Sequence, residues 1–260
     1  MDDREELSGP ELAGRLRERL MAPGATWRDA AAIPFGLWWR MRSEWGGDVA
    51  RRRDGLLAGT EGLRHAEGWY TPDEALRAAG RGGDAGRVKA IFGGRDDCRE
   101  EFGGYGMYVE SPLRFPNLER MSVDLFVLPG GVFDAMFLCG LQGDLVVEGG
   151  RVTAPFLEEV DGRLEVYSRG SVRAFSLERV GGGVGVGTGS YLEAPGLREV
   201  GGRLDVDPGA FLYAPSYVVR EGMDHVCVPY RGEGNRERYR RYMEASGGRE
   251  RGWAVWRRDK

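Results

Sequence analysis

The sequence predicts an α+β protein: a short β-solenoid of about six ~20-residue coils, with an N-terminal helical domain and a C-terminal helix covering its ends. Three observations predict it. Apolar residues recur every twenty positions through the middle of the chain. Helix-capping signals fill the first third. An arginine-rich, aromatic stretch with helical spacing closes it. The divisions are 1–94, 95–230 and 231–260.

In "LSGPELAGRLRERL", Ser8 is placed to cap, Pro10 suits the first turn and Glu11 reaches back. Leu12, Leu16 and Leu20 then share one face. "TPDEALRAAG" repeats the device with Thr71, Pro72 and Glu74, and Gly80 stops it. Between them, Phe35, Trp38, Met41 and Trp45 form a helical stripe. That stripe serves as core packing or, through Trp38 and Trp45, as a docking surface.

The repeat appears on aligning "VTAPFLEEVDGRLEV", "VRAFSLERVGGGVGV" and "LEAPGLREVGGRLDV". Leu157, Leu177 and Leu197 are twenty apart, as are Val160, Val180 and Val200. The pairs Leu164/Val166, Val184/Val186 and Leu204/Val206 keep the same step. Leu145/Val147 and Leu125/Val127 continue it upstream, and Met107 and Val109 mark the first strand. Gly222, Val226 and Val228 complete a further coil downstream. One unit is too small to bury its own apolar face, so neighbours must stack into a shared core. Strand alternation sends Leu164 and Val166 inward and Arg163, Glu165 and Tyr167 outward. A second short strand runs from Val152 to Ala154.

The unit "AP-x-L-x-x-V-x-G-x-L-x-V" resembles the repeat of receptor L domains and related leucine-rich-repeat-like solenoids, over about Leu113–Tyr230. It lacks the asparagine ladder of ordinary leucine-rich repeats. The resemblance implies a protein that binds proteins or other ligands on an exposed sheet and rarely catalyses.

The run "RVGGGVGVGTG" first suggests a phosphate loop, but it holds neither G-x-G-x-x-G nor G-x-x-x-x-G-K-[ST]. The next repeat follows it where a long helix would be needed. In register, Gly183, Gly185 and Gly187 take outward slots between Arg163, Glu165 and Tyr167 on one side and Arg203, Asp205 and Asp207 on the other. Glycine weakens a strand, so this row predicts a shallow bald groove where another chain comes close. Arg163, Glu165, Tyr167, Gly183, Gly185, Gly187, Arg203 and Asp205 are therefore the candidate partner-binding residues.

Other chemistry is thinly signalled. The three cysteines, Cys98, Cys139 and Cys227, are widely spaced, which argues against a disulfide framework or a four-ligand zinc site. His65 and His225 are the only histidines. His225 and Cys227 alternate on one strand face, which would suit a thiol–imidazole pair or a metal. An edge strand ending at Pro229 is the favoured explanation for them, and their spacing on a strand is too wide for a direct hydrogen bond. No cofactor or metal is expected. Arg236, Arg240, Arg241, Trp253 and Trp256 interleave charge with aromatic rings, a pattern that clamps phosphates and stacks on bases. Interspersed acids and a net charge of −4 oppose it. No apolar run approaches the ~20 residues of a membrane span. The polar N-terminus is no secretory signal, so the expected location is cytoplasmic, or reached without a cleaved signal peptide.

The expectation is a non-enzymatic interaction protein with a protein partner. The alternatives are a component of a larger assembly such as a phage particle, an enzyme with its site between helical domain and solenoid, and a nucleic-acid binder using the basic tail.

Overall fold

A computed structural model describes residues 9–80, 83–93 and 106–217. The twenty-residue period builds a parallel β-solenoid of about seven turns. Each full turn contributes three short strands, one to each of three parallel sheets. Sheet I holds Gly106–Val109, Asp124–Val127, Leu145–Glu148, Leu164–Tyr167, Val184–Val186 and Leu204–Val206. Sheet II holds Pro112–Arg114, Val132–Asp134, Arg151–Thr153, Ser171–Arg173, Tyr191–Glu193 and Phe211–Tyr213. Sheet III holds Trp69–Tyr70, Ala90–Phe92, Arg120–Ser122, Gly140–Leu141, Glu159–Val160, Arg179–Val180 and Glu199–Val200.

The register follows the sequence period. Leu164 pairs with Leu145 and Val184, and Val184 with Leu204. Leu125, Leu145, Leu164, Val184 and Leu204 thus form one buried column, and Val127, Val147, Val166, Val186 and Val206 a second. Sheet II adds Phe133, Val152, Val172 and Leu192, and sheet III adds Met121, Leu141, Val160, Val180 and Val200. Each column is a continuous apolar stack, which supplies the burial that a single coil lacks.

Among the described residues, six α-helices come before Ala90: α1 (Gly9–Met21), α2 (Trp27–Ala31), α3 (Phe35–Trp45), α4 (Gly47–Leu57), α5 (Glu61–Ala66) and α6 (Pro72–Ala79). The α6 start is as expected: Thr71 accepts the Glu74 N–H, and Glu74 accepts the Thr71 N–H in return. In α1 the buried face runs through Ala13, the half-buried Leu16 and Leu20, while Leu12 is exposed. The face that α1 turns to the neighbouring helices begins at Ala13, one position after Leu12, so the leucine spacing does not set the phase there. Ser8 lies outside the described residues.

Helices and solenoid share one core. Trp69–Tyr70 and Ala90–Phe92 extend sheet III past Arg120–Ser122, so the helical region donates strands to the solenoid's first turns. Arg53 of α4 is buried, with its guanidinium over the Trp38 ring and donating to the Gly93 carbonyl. Among the described residues, no helix is long and apolar enough to cross a membrane.

Candidate functional site

The glycine row lies on sheet I. Glu165 pairs with Gly185, and Gly185 with Asp205. Strands sit about 4.8 Å apart, so the flanking backbones stand about 10 Å from each other. With no outward side chains on the strand between them, a depression of about 260 Å³ opens. Its lining includes Arg163, Glu165, Tyr167, Arg203, Asp205 and Asp207, over a floor of Gly183, Gly185 and Gly187. The structure therefore brings together all eight sheet residues singled out from the sequence.

The walls are held by local ion pairs. Arg163 donates to Asp144 at 3.0 Å through Nε and 2.7 Å through Nη2, and to Glu165 at 3.3 Å. Asp144 also accepts the Arg163 backbone N–H at 2.7 Å, while Asp124 accepts the Asp144 N–H at 2.8 Å. This chain of carboxylates braces the strand starts one coil after another. Asp144 and Glu165 raise the Arg163 pKa further, so it stays charged. Arg203 pairs with Asp205. Asp207 is exposed and makes no ion pair among the described residues.

Tyr167 leans over the glycines, a feature the sequence did not announce. A Cβ on Gly185 would lie 3.3 Å from its hydroxyl, and one on Gly187 would lie 3.0 Å from its ring. The bare strand thus makes room for a tyrosine that is still 37% exposed. Burial, the Glu165 charge and a hydrogen bond to Glu165 push the Tyr167 hydroxyl up to about 12. The phenol stays protonated and donates. The trough is therefore polar and walled by an aromatic ring, with guanidinium groups at the strand starts and carboxylates beyond them.

Trp38 and Trp45 are not part of any surface. They are only 2% and 8% exposed, with ring centroids 5.9 Å apart. This corrects the docking alternative for them: helical spacing alone does not say which side of a stripe meets solvent, and here the stripe is core.

His65 stacks on Tyr70 at 4.2 Å and lies 3.2 Å from Glu74. Glu61, His65 and Glu74 are grouped closely enough to ligate a metal. Glu74 is already engaged, however: Arg64 donates to both its oxygens at 3.0 Å, and the Thr71 N–H adds a third bond. Burial alone would raise its pKa, but these hydrogen bonds outweigh that and hold it at about 2. A guanidinium seated on the carboxylate opposes a cation there, and the group reads as a structural clasp. His225, Cys227 and the tail residues Arg236, Arg240, Arg241, Trp253 and Trp256 lie outside the described residues.

A second surface escaped the sequence reading. At the corner between sheets II and III, four successive coils turn through Ala-x-x-Leu, flanked by Phe115-x-x-Leu118 and Ala214-x-x-Tyr217, with the first and fourth residues inward. Met136, Phe137, Phe156 and Phe175 stand there 41%, 51%, 48% and 45% exposed. Phe137 and Phe156 stack with centroids 6.1 Å apart and planes within 3°. Phenylalanine recurs one or two positions after the corner alanine, and that recurrence is the signal in the sequence.

Compared with known proteins, the chain matches no family model, no curated protein and no solved structure.

Proposed function

We propose that this is a non-enzymatic interaction protein that binds a protein partner on sheet I, with the glycine trough as the centre of contact. The observation that carries the proposal is the trough: a depression of about 260 Å³ on an otherwise side-chain-covered sheet, floored by glycine backbone and walled by Tyr167 and paired charges. A glycine floor lets another backbone or side chain approach closely. Tyrosine and arginine, which Tyr167, Arg163 and Arg203 supply here, are enriched at contact centres. The likeness of the repeat to receptor L domains supports the same use of an exposed sheet.

The test is co-purification of partners with the full chain. Gly185→Lys fills the trough, and Arg151→Glu on exposed sheet II is the control. The expected result is at least tenfold loss of partner with Gly185→Lys and none with Arg151→Glu, at equal melting temperatures. Full retention of every partner by a folded Gly185→Lys protein would overturn the proposal.

A further inference from the structure

The corner ridge is a different surface from the trough and calls for its own occupant. Of the eight large hydrophobic residues exposed among the described ones, four lie on this corner: Met136, Phe137, Phe156 and Phe175. Clustered exposure of this kind marks a contact surface, whereas scattered apolar residues do not.

Its charge setting is equally specific. Backbone hydrogen bonds align Glu119, Cys139, Glu158, Glu178 and Arg198 in one row, two positions beyond the ridge. Glu119, Glu158 and Glu178 are exposed, and Arg198 sits 3.9 Å from Glu178. The exposed Cys139 thiol reports the field: burial raises its pKa, and Glu158 and Glu119 raise it further. The ridge is thus an apolar strip with an acidic margin. Its complement is a segment bearing aromatic side chains among basic ones.

This chain carries such a segment. Residues 231–260 hold ten basic and five acidic residues, with Tyr239, Tyr242, Trp253 and Trp256 among them. Residues 106–217 hold nine basic and fifteen acidic ones. The two parts are electrostatically complementary. The position where the described chain ends also fits. Tyr217 closes the last Ala-x-x-Leu-type turn, donating its N–H to Ala214 as Leu197 does to Ala194. The chain therefore leaves at this same corner. Phe175 lies two coils back and Phe137 four, about 10 Å and 19 Å along the axis. Residues 218–230 alone span up to about 45 Å when extended, so the reach is ample.

We propose that the ridge of Met136, Phe137, Phe156 and Phe175 is the docking surface for the chain's own C-terminal segment, residues 231–260, with tail aromatics on the phenylalanines and tail arginines facing the Glu119, Glu158 and Glu178 row. The contact is an internal strap that runs back along the solenoid and covers its apolar edge.

Photo-crosslinking in the full chain tests this. Phe156→p-benzoylphenylalanine places the probe on the ridge, and Phe175→p-benzoylphenylalanine repeats it should the first variant misfold. The expected result is a monomeric product whose crosslinked peptides fall within 231–260, with a yield independent of protein concentration. Adding Glu158→Lys and Glu178→Lys should lower that yield severalfold, as should high salt. Hydrogen exchange on the unmodified chain provides a check without the probe. Amides of 231–260 should exchange at least tenfold slower than in Phe137→Ser/Phe156→Ser/Phe175→Ser. Crosslinks to a second copy that rise with concentration, crosslinks elsewhere in the chain, no crosslink, or equal exchange in both proteins would each overturn the proposal.

Discussion

Arg169 shows how much one backbone angle can cost in a repeat. Its φ is +67°, in the left-handed region, where L side chains crowd the following carbonyl. The next two coils place glycine there, Gly189 at +77° and Gly209 at +81°. Arg169→Gly should therefore stabilise the protein by about 1 kcal/mol, seen as a higher denaturation midpoint. An unchanged or lower midpoint would show that the arginine makes up for its own strain. At this scale the trough residues were legible in advance, since twenty-residue registration alone sets Gly185 between Glu165 and Asp205. The lean of Tyr167 was not. Alternation fixes which face a side chain leaves from, whereas its rotamer depends on the space its neighbours leave free.

Among the elements, the join between α5 and α6 rests on Glu74. The carboxylate caps α6 and holds the buried Arg64, whose guanidinium also lies 5.1 Å above the Phe92 ring. Glu74 titrates at about 2 when folded, against its usual 4.5. A carboxylate depressed in this way stabilises the fold fully above the unfolded value. That contribution fades as pH falls from 4.5 toward about 2. Glu74→Gln should flatten this acid limb in urea titrations across that range and cost about 3 kcal/mol at neutral pH, because Arg64 is left buried without its partner. An acid limb identical to that of the unmodified protein would assign the pH dependence elsewhere. The capping box was readable from Thr71, Pro72 and Glu74, but the Arg64 contact was not, because nothing local links the two helices. The third sheet hid for a related reason. Strands such as Glu159–Val160 are two residues long, too short to show alternation. The ridge hid because Phe175 stands one position earlier in its turn than Phe137 and Phe156.

For the whole molecule, the shared core predicts that helices and solenoid unfold together. Sheet III runs from Trp69–Tyr70 to Glu199–Val200 without a break in pairing. Trp38 and Leu164 belong to the same buried cluster despite their distance in sequence. Leu164→Ala, at a fully buried position, should cost about 3 kcal/mol and lower one calorimetric transition shared by both parts. Two separated transitions, with only the later one moved, would show that the helices melt independently. Solenoid architecture was plain from the sequence because many positions obey one period. The donation of Trp69–Tyr70 and Ala90–Phe92 was not, because α6 lies between those strands and interrupts any period.

Every strand in the stack runs the same way, and sheets II and III keep a twenty-residue step through their last coils. The axis therefore behaves as a ruler graduated in whole coils. A duplicated or deleted coil slides everything beyond it by one graduation of about 4.8 Å and leaves the face on which each side chain sits unchanged. Trough and ridge meet in the coil that carries both Tyr167 and Phe175, so a coil added outside them lengthens the ruler and leaves both surfaces intact. Such a chain can be lengthened or shortened by copying or removing one unit, with no new fold to find.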